Sequence, residues 1–245
     1  MDFLFHIGRY FSLIKLSLQR AEKRSVFTRQ IFIEIDKIGI SSVGIAAFIS
    51  FFFGAVMALQ TSYNMSSPML PDYLVGLGTR DAILLEFSST ILCLILAGKV
   101  GSNIASEIGT MRVTEQIDAL ETMGINSANF IVLPKIFAAV ISFPLLTILS
   151  MGVGIFGGWA AGVVTGEISS EQFIYGVQYL FIPYYIIYSV VKTIVFAFII
   201  ITISCYYGFY TVGGALEVGR ASTRAVVSSS LVILIFNLLI TNIML

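Results

Sequence analysis

Residues 98–124 read GKVGSNIASEIGTMRVTEQIDALETMG and join the end of one long apolar run to the start of the next. Small residues, charges and a short amphipathic pattern occur together in this junction. Its second half predicts a short helix, which Thr114 can cap and Gly124 can end. Three apolar residues recur on one side of that helix: Ile117, Leu120 and Met123. So short a helix needs a surface to be stable, which either its own bundle or a groove on a soluble partner can provide.

The composition is that of an integral membrane protein. Of the 245 residues, 57% are hydrophobic and 11% are charged, with a mean hydropathy of +0.94, whereas globular chains average about 25% charged residues. The formal net charge is zero, so the basic surface typical of nucleic-acid binding is absent. A single histidine, His6, and two cysteines in apolar runs, Cys93 and Cys205, argue against a metal centre or a serine–histidine catalytic site. We therefore expect no cofactor on this chain.

Five apolar segments are long enough to cross a bilayer as helices: residues 40–59, 82–108, 130–164, 183–207 and 225–245. Besides the junction, three connections between them are expected: residues 64–80, a loop with at most a short helix; residues 166–179, a short polar stretch; and residues 208–224, a glycine-rich loop. Pro134 and Pro144 are expected to mark the start and a kink of the third span. Glycines between residues 152 and 162 indicate close helix packing.

Residues 1–39 are predicted to form a leader ahead of a five-span domain, residues 40–245. Apolar residues recur at helical spacing from Phe3 to Leu18, with cations between them. This pattern favours an amphipathic helix on the membrane surface, and a solvated basic leader is the alternative. The predicted fold is thus all-α: an interfacial helix, five spans, and a short helix between the second and third spans.

The positions of the cations predict the orientation. If the amino terminus is cytoplasmic, twelve Lys and Arg residues lie on that side, only Arg80 lies on the other, and Lys192 lies within a span. Cytoplasmic loops carry the excess of cations, so the amino terminus and the junction are predicted to be cytoplasmic and the carboxyl terminus external. Lys99, Glu107 and Arg112 then lie near the cytoplasmic end, where local ion pairs cost little, and are interpreted as structural.

Glu86 and Lys192 lie inside predicted spans. A charge at the middle of a span costs about 2.5–3.5 kcal/mol, so each should face protein or water. Three interpretations are open: a pair that locks two helices, an outward-facing cavity in which Lys192 meets a lipid phosphate, and a proton relay. Tyr188 extends a polar stripe from Lys192. Gln60 and Tyr63 end the first span, where both can line the cavity mouth, although Tyr63 also fits an aromatic belt.

Residues 97–126, AGKVGSNIASEIGTMRVTEQIDALETMGIN, resemble the signature of the MlaE-type permeases, the membrane subunits of MCE-associated phospholipid ABC transporters. The similarity continues in PKIFAAVISFPLLTILSMGVGIFGGWAAG, IIYSVVKTIVFAF and GRASTRAVVSSSLVIL, which are residues 134–162, 186–198 and 219–234. It implies a homodimeric permease of the bacterial inner membrane, with a periplasmic carboxyl terminus. Such a permease exchanges phospholipid with an MCE-domain periplasmic protein and serves outer-membrane lipid homeostasis.

The resemblance also assigns roles to particular residues. It implies that the helix over residues 115–121 couples the permease to an ABC ATPase subunit through Glu115, Gln116, Asp118, Ala119, Leu120 and Glu121. The family positions that correspond to Glu86 and Lys192 lie near the lipid cavity.

The chain has no GxxxxGK[ST] motif, so any ATP must be bound by another chain. Two other function classes are an intramembrane enzyme that acts on lipid and a membrane scaffold that transports nothing.

Overall fold

The computed structural model of the protein describes residues 2–18, 24–65 and 71–245. These residues form eight helices, in chain order: α1 (Asp2–Ser17), α2 (24–64), α3 (Tyr73–Val113), α4 (Gln116–Thr122), α5 (Ser127–Thr165), α6 (Ser170–Gln178), α7 (Tyr184–Phe209) and α8 (Ala215–Met244).

Five of these helices, α2, α3, α5, α7 and α8, are long and apolar enough to cross a membrane, which confirms the predicted number of spans. The shortest, α7, has 26 residues, and about 20 suffice to cross the bilayer core. The spans alternate in direction. Helices α1 and α4 therefore lie at one end of the bundle, called here the junction end, and α6 lies at the opposite end.

Helix α3 begins at Tyr73, so the predicted loop over residues 64–80 is wrong in its second half. One glycine that suggested a loop serves close packing instead. A Cβ atom on Gly76 would lie 2.4 Å from the carbonyl oxygen of Phe173 in α6, so the two helices touch backbone to backbone. Pro68, which belonged to the same prediction, lies outside the described residues.

Three other boundaries differ from the sequence-based expectation. Helix α5 runs unbroken through Pro134 and Pro144, so Pro134 does not start the span. Neighbouring helices let membrane helices tolerate internal prolines. Helix α6 occupies most of the connection at residues 166–179. Helix α8 begins at Ala215, which shortens the predicted loop over residues 208–224 to a few residues.

Two spans contain wider, π-helical turns. Helix α2 has one at Asp36–Ile40, and α3 has two, at Ile83–Ile91 and Ala97–Gly101. Turns of this kind are frequent at functional sites, because they alter the direction of nearby side chains. Glu86 and Lys99 both lie in such turns.

Helix α1 packs on the junction end of the bundle. Leu13 is buried against Ala128 of α5, and the hydroxyl groups of Tyr10 and Thr202 lie 2.7 Å apart. Burial raises the pKa of the Tyr10 hydroxyl. The location of α1 at a membrane surface stays a prediction, as does the division of the chain at residue 40, which α2 crosses without a break.

Helices α2 and α5 cross with their backbones in contact at a glycine seam, defined by Gly54, Gly154 and Gly157. A Cβ atom on Gly54 would lie 1.9 Å from the carbonyl oxygen of Gly154, and one on Gly157 would lie 2.1 Å from that of Phe51. The predicted close packing is therefore confirmed at Gly154 and Gly157. Gly152 of the same helix faces open space.

We expect Gly157→Ala to destabilise the protein by about 1–3 kcal/mol, because the added methyl group collides with the Phe51 carbonyl oxygen. The matched control is Gly152→Ala, which should be neutral or stabilising by up to about 1 kcal/mol, since alanine favours helix more than glycine does. Thermal unfolding of the two variants in detergent measures the difference. Equal melting temperatures would contradict the close contact of the two helices.

Candidate functional site

A sharp turn at Glu115 separates the junction helix α4 from α3. Glu115 has a φ of 59°, a left-handed conformation that costs a residue other than glycine about 1–3 kcal/mol. Thr114 does not cap α4 as predicted, because its hydroxyl donates to the Thr110 carbonyl at 2.8 Å and so ends α3. Gly124 ends α4 as predicted, with a φ of 78° and its N–H bonded to the Glu121 carbonyl at 2.9 Å.

One side of α4 is buried in its own bundle and the other side is exposed. Ile117 is fully buried in the main apolar core, and Leu120 packs against that core. Met123, predicted on the same side, is 66% exposed. The exposed side is mostly polar: Glu115, Gln116, Asp118, Ala119 and Glu121. The bundle thus anchors the helix and presents its acidic face outward.

Two side-chain contacts tie the acidic face of α4 to neighbouring helices. Arg112 lies 2.6 Å from Asp118, and the Ser127 hydroxyl donates to Glu121 at 2.7 Å. An exposed ion pair contributes at most about 1 kcal/mol. The Arg112–Asp118 pair therefore adds little to the stability of α4.

Glu86 and Lys192 form an ion pair between α3 and α7. The Lys192 Nζ atom lies 3.0 Å from Glu86 Oε1 and 4.6 Å from the centre of the Tyr188 ring. The Lys192 side chain is fully buried, whereas 45% of the Glu86 side chain is exposed. The helix-locking pair is therefore present in the structure, while contact of either residue with lipid stays a prediction.

Helix α8 completes this group, called here the Glu86 cluster: Glu86, Thr90, Lys192 and Asn237. Asn237 Nδ2 lies 3.3 Å from Glu86 Oε2, and the Thr90 hydroxyl lies 2.9 Å from the same oxygen. Three spans therefore converge on one carboxylate. Sequence reasoning missed Asn237, although an amide within the apolar run of α8 is a signal for a polar partner inside the bundle.

Gln60 and Tyr63 lie apart from the Glu86 cluster on the last turns of α2, where both are exposed. Tyr63 lines a cleft of about 360 Å³ at the opposite end, and the lining includes Asp72 and Glu167 but not Glu86, Lys192 or Tyr188. The structure therefore brings three of the five predicted cavity residues together and places the other two elsewhere on the same half of the bundle.

A second ion network lies at the junction end. Lys135 is 3% exposed, and its Nζ atom lies 2.8 Å from Glu34 and 2.6 Å from Glu107. Glu107 also pairs with Lys37 at 2.9 Å, so the network joins α2, α3 and α5. The structural interpretation of Glu107 agrees with these contacts. Its pairing with Lys135 and the role of Glu34 were missed, because these residues lie far apart in sequence.

The comparison with known families decides among the function classes. The family model described as Permease MlaE matches residues 31–243. The chain belongs to the MlaE permease family. It is therefore an ABC-transporter permease, a multi-pass protein of the inner membrane. The matched residues include the junction helix and the whole Glu86 cluster, whereas α1 precedes them.

Named relatives of this MlaE-family permease occur in several lineages. A probable ABC transporter permease protein of Rickettsia bellii is 42% identical over 205 residues, which cover 84% of this chain and 79% of the relative. The intermembrane phospholipid transport system permease protein MlaE of Haemophilus influenzae is 30% identical over 86% of this chain and 81% of its own length. The chloroplastic protein TRIGALACTOSYLDIACYLGLYCEROL 1 of Arabidopsis thaliana is 29% identical over 91% of this chain and 63% of its own length.

Because Lys192 is buried and Glu86 is half exposed, the two partners of the ion pair should respond differently to substitution. We expect Glu86→Gln to lower the stability of the MlaE-family permease by about 3 kcal/mol, since it leaves a buried cation without a counter-charge. Lys192→Met should cost about 1 kcal/mol, because Glu86 is half exposed and keeps its contacts with Thr90 and Asn237.

The free energies of unfolding of both single variants and of the double variant measure this asymmetry. The double variant should be more stable than Glu86→Gln alone, because it removes the unpaired cation. Equal losses in the two single variants, with additive loss in the double variant, would contradict the pairing.

Proposed function

We propose that this MlaE-family permease moves phospholipid between the inner membrane and an MCE-domain periplasmic protein, driven by ATP hydrolysis in a separate ABC ATPase subunit. The observation that carries the proposal is the junction helix α4, a short helix anchored by one buried residue, Ile117, with an exposed acidic face. The names of the relatives support transport, since the Haemophilus influenzae protein is described as a phospholipid transport permease. They favour it over a lipid-modifying enzyme or a scaffold.

The junction helix is proposed to be the coupling helix. Its exposed residues Glu115, Gln116, Asp118, Ala119 and Glu121 offer carboxylates and one small side chain to a groove on the ATPase. Leu120 instead supports the helix from below, because it packs against the permease core. A movement of the ATPase groove would then pass through Ile117 and Leu120 into α3 and α5.

The Glu86 cluster is proposed to contact the phospholipid. Lys192 is buried beneath Glu86 and Tyr188, so a lipid phosphate reaches it only by displacing the Glu86 carboxylate. Because the Glu86 side chain is half exposed, it can turn away from Lys192. The phosphate then replaces the carboxylate as the counter-charge of Lys192, so the exchange costs little free energy. Gln60 and Tyr63, on the last turns of α2, are proposed to line the outer mouth of this path.

The proposed assembly is a homodimer with the junction end in the cytoplasm and the carboxyl terminus in the periplasm. Support for this orientation comes from the positive-inside rule, since ten Lys and Arg residues of the described ranges lie on the junction side. The second copy and the MCE-domain protein are expected from the family. In this arrangement the Glu86 cluster faces the periplasmic half, from which lipid would leave for outer-membrane homeostasis.

Glu115→Asn and Asp118→Asn test the coupling role, because each removes one exposed carboxylate from α4 while asparagine tolerates the left-handed backbone at Glu115. We expect the double variant to weaken co-purification of the ATPase, and lipid-dependent ATP hydrolysis, by at least about tenfold, as for contacts that dominate an interface. The control Glu171→Gln removes an exposed carboxylate from α6 at the opposite end and should change neither. Wild-type ATPase retention and hydrolysis in the double variant would overturn the coupling role.

A further inference from the structure

A cleft of about 540 Å³ opens between α2 and α3 at the junction end. Residues from two π-helical turns, Asp36–Ile40 and Ala97–Gly101, line it together. The cleft belongs neither to the exposed face of α4 nor to the Glu86 cluster. Its size falls within the range of small-molecule sites, roughly 300–1,000 Å³.

The cleft holds one cation and one anion that lack counter-charges among the described residues. Lys99 donates to the Ser41 carbonyl and, at 3.2 Å, to the Ser42 hydroxyl, but meets no carboxylate. The Asp36 carboxylate is exposed and has no hydrogen-bond or ion-pair partner within the described ranges. By contrast, the three other charges that line the cleft are paired: Lys37 with Glu107 at 2.9 Å, and Glu34 with Lys135 at 2.8 Å.

The cleft lies where the apolar part of α2 begins. Ile40, which lines the cleft, is 62% exposed and is the first residue of the predicted span 40–59. In a bilayer this is the depth at which headgroups meet acyl chains. A ligand here can place its polar part between Asp36 and Lys99 and its apolar part along α2.

We propose that this cleft binds the phosphoethanolamine headgroup of a membrane phospholipid. Lys99 receives the phosphate, and the Asp36 carboxylate accepts hydrogen bonds from the primary ammonium group. An anionic headgroup such as glycerol phosphate satisfies Lys99 but leaves Asp36 unpaired, so the cleft prefers the zwitterion. This site is distinct from the proposed transport path and does not depend on it.

A photoactivatable phosphatidylethanolamine probe tests the site in nanodiscs that contain the intact permease, with a phosphatidylglycerol probe as the comparison. We expect the first probe to label peptides around Asp36 and Lys99. Asp36→Asn should lower that labelling roughly two- to fivefold, the strength of a partly exposed ion pair, and leave phosphatidylglycerol labelling unchanged. Lys99→Gln should lower both. Glu171→Gln, which removes an exposed carboxylate from α6 at the opposite end, is the control and should change neither.

Equal labelling by the two probes in the wild type, or an unchanged ratio in Asp36→Asn, would overturn the proposal. Asp36→Asn is informative in either case, because the Asp36 side chain has no partner to lose among the residues that the structure describes. Soluble phosphoethanolamine should not displace the lipid probe at an equal concentration. If it does, the cleft is a site for a free metabolite and the lipid assignment is wrong. No ATP is used, so the outcome is separate from that of the coupling experiment.

Discussion

The contact between α2 and α5 at the glycine seam fixes the position of these two helices relative to each other. Because the two backbones touch at Gly54, Gly154 and Gly157, neither helix can slide or rotate without a steric collision. Helix α5 begins just after α4 and so fixes the height of the junction helix. Helix α2 carries its π-helical turn, Asp36–Ile40, to the same end. The glycine seam therefore sets the positions of two polar sites at the junction end, namely the exposed face of α4 and the cleft beside the π-helical turn of α2.

Two ion networks connect the spans, one at the junction end and one in the opposite half of the bundle. At the junction end, Glu34, Lys135, Glu107 and Lys37 alternate in sign, and at the other level Glu86 meets Lys192. Each network joins three spans, since Asn237 brings α8 to Glu86 just as Glu107 brings α3 to Lys135. A buried ion pair gives little net stability because desolvation opposes it. Its effect is to specify which helices are neighbours.

The sequence predicts features that depend on local pattern. Apolar length predicts the five spans, and the left-handed Gly124 follows from its place at the end of an amphipathic segment. The cost of a charge in a membrane predicts that Glu86 and Lys192 need partners. Features that depend on distant neighbours were not predictable. Gly76 suggested a loop because its contact in α6 is not visible in sequence, and nothing in the pattern links Glu34 to Lys135.

The length of α5 determines how far one of its ends moves when the helix tilts. Its 39 residues make a rod of about 58 Å at about 1.5 Å per residue. A tilt of about 5° then moves one end by about 5 Å relative to the other, by the same geometry. Pro144 interrupts the hydrogen-bond ladder of this rod near its middle. In the proposed coupling mechanism, a force applied to α5 at the junction end would either tilt the whole helix across the bilayer or be absorbed by bending at Pro144.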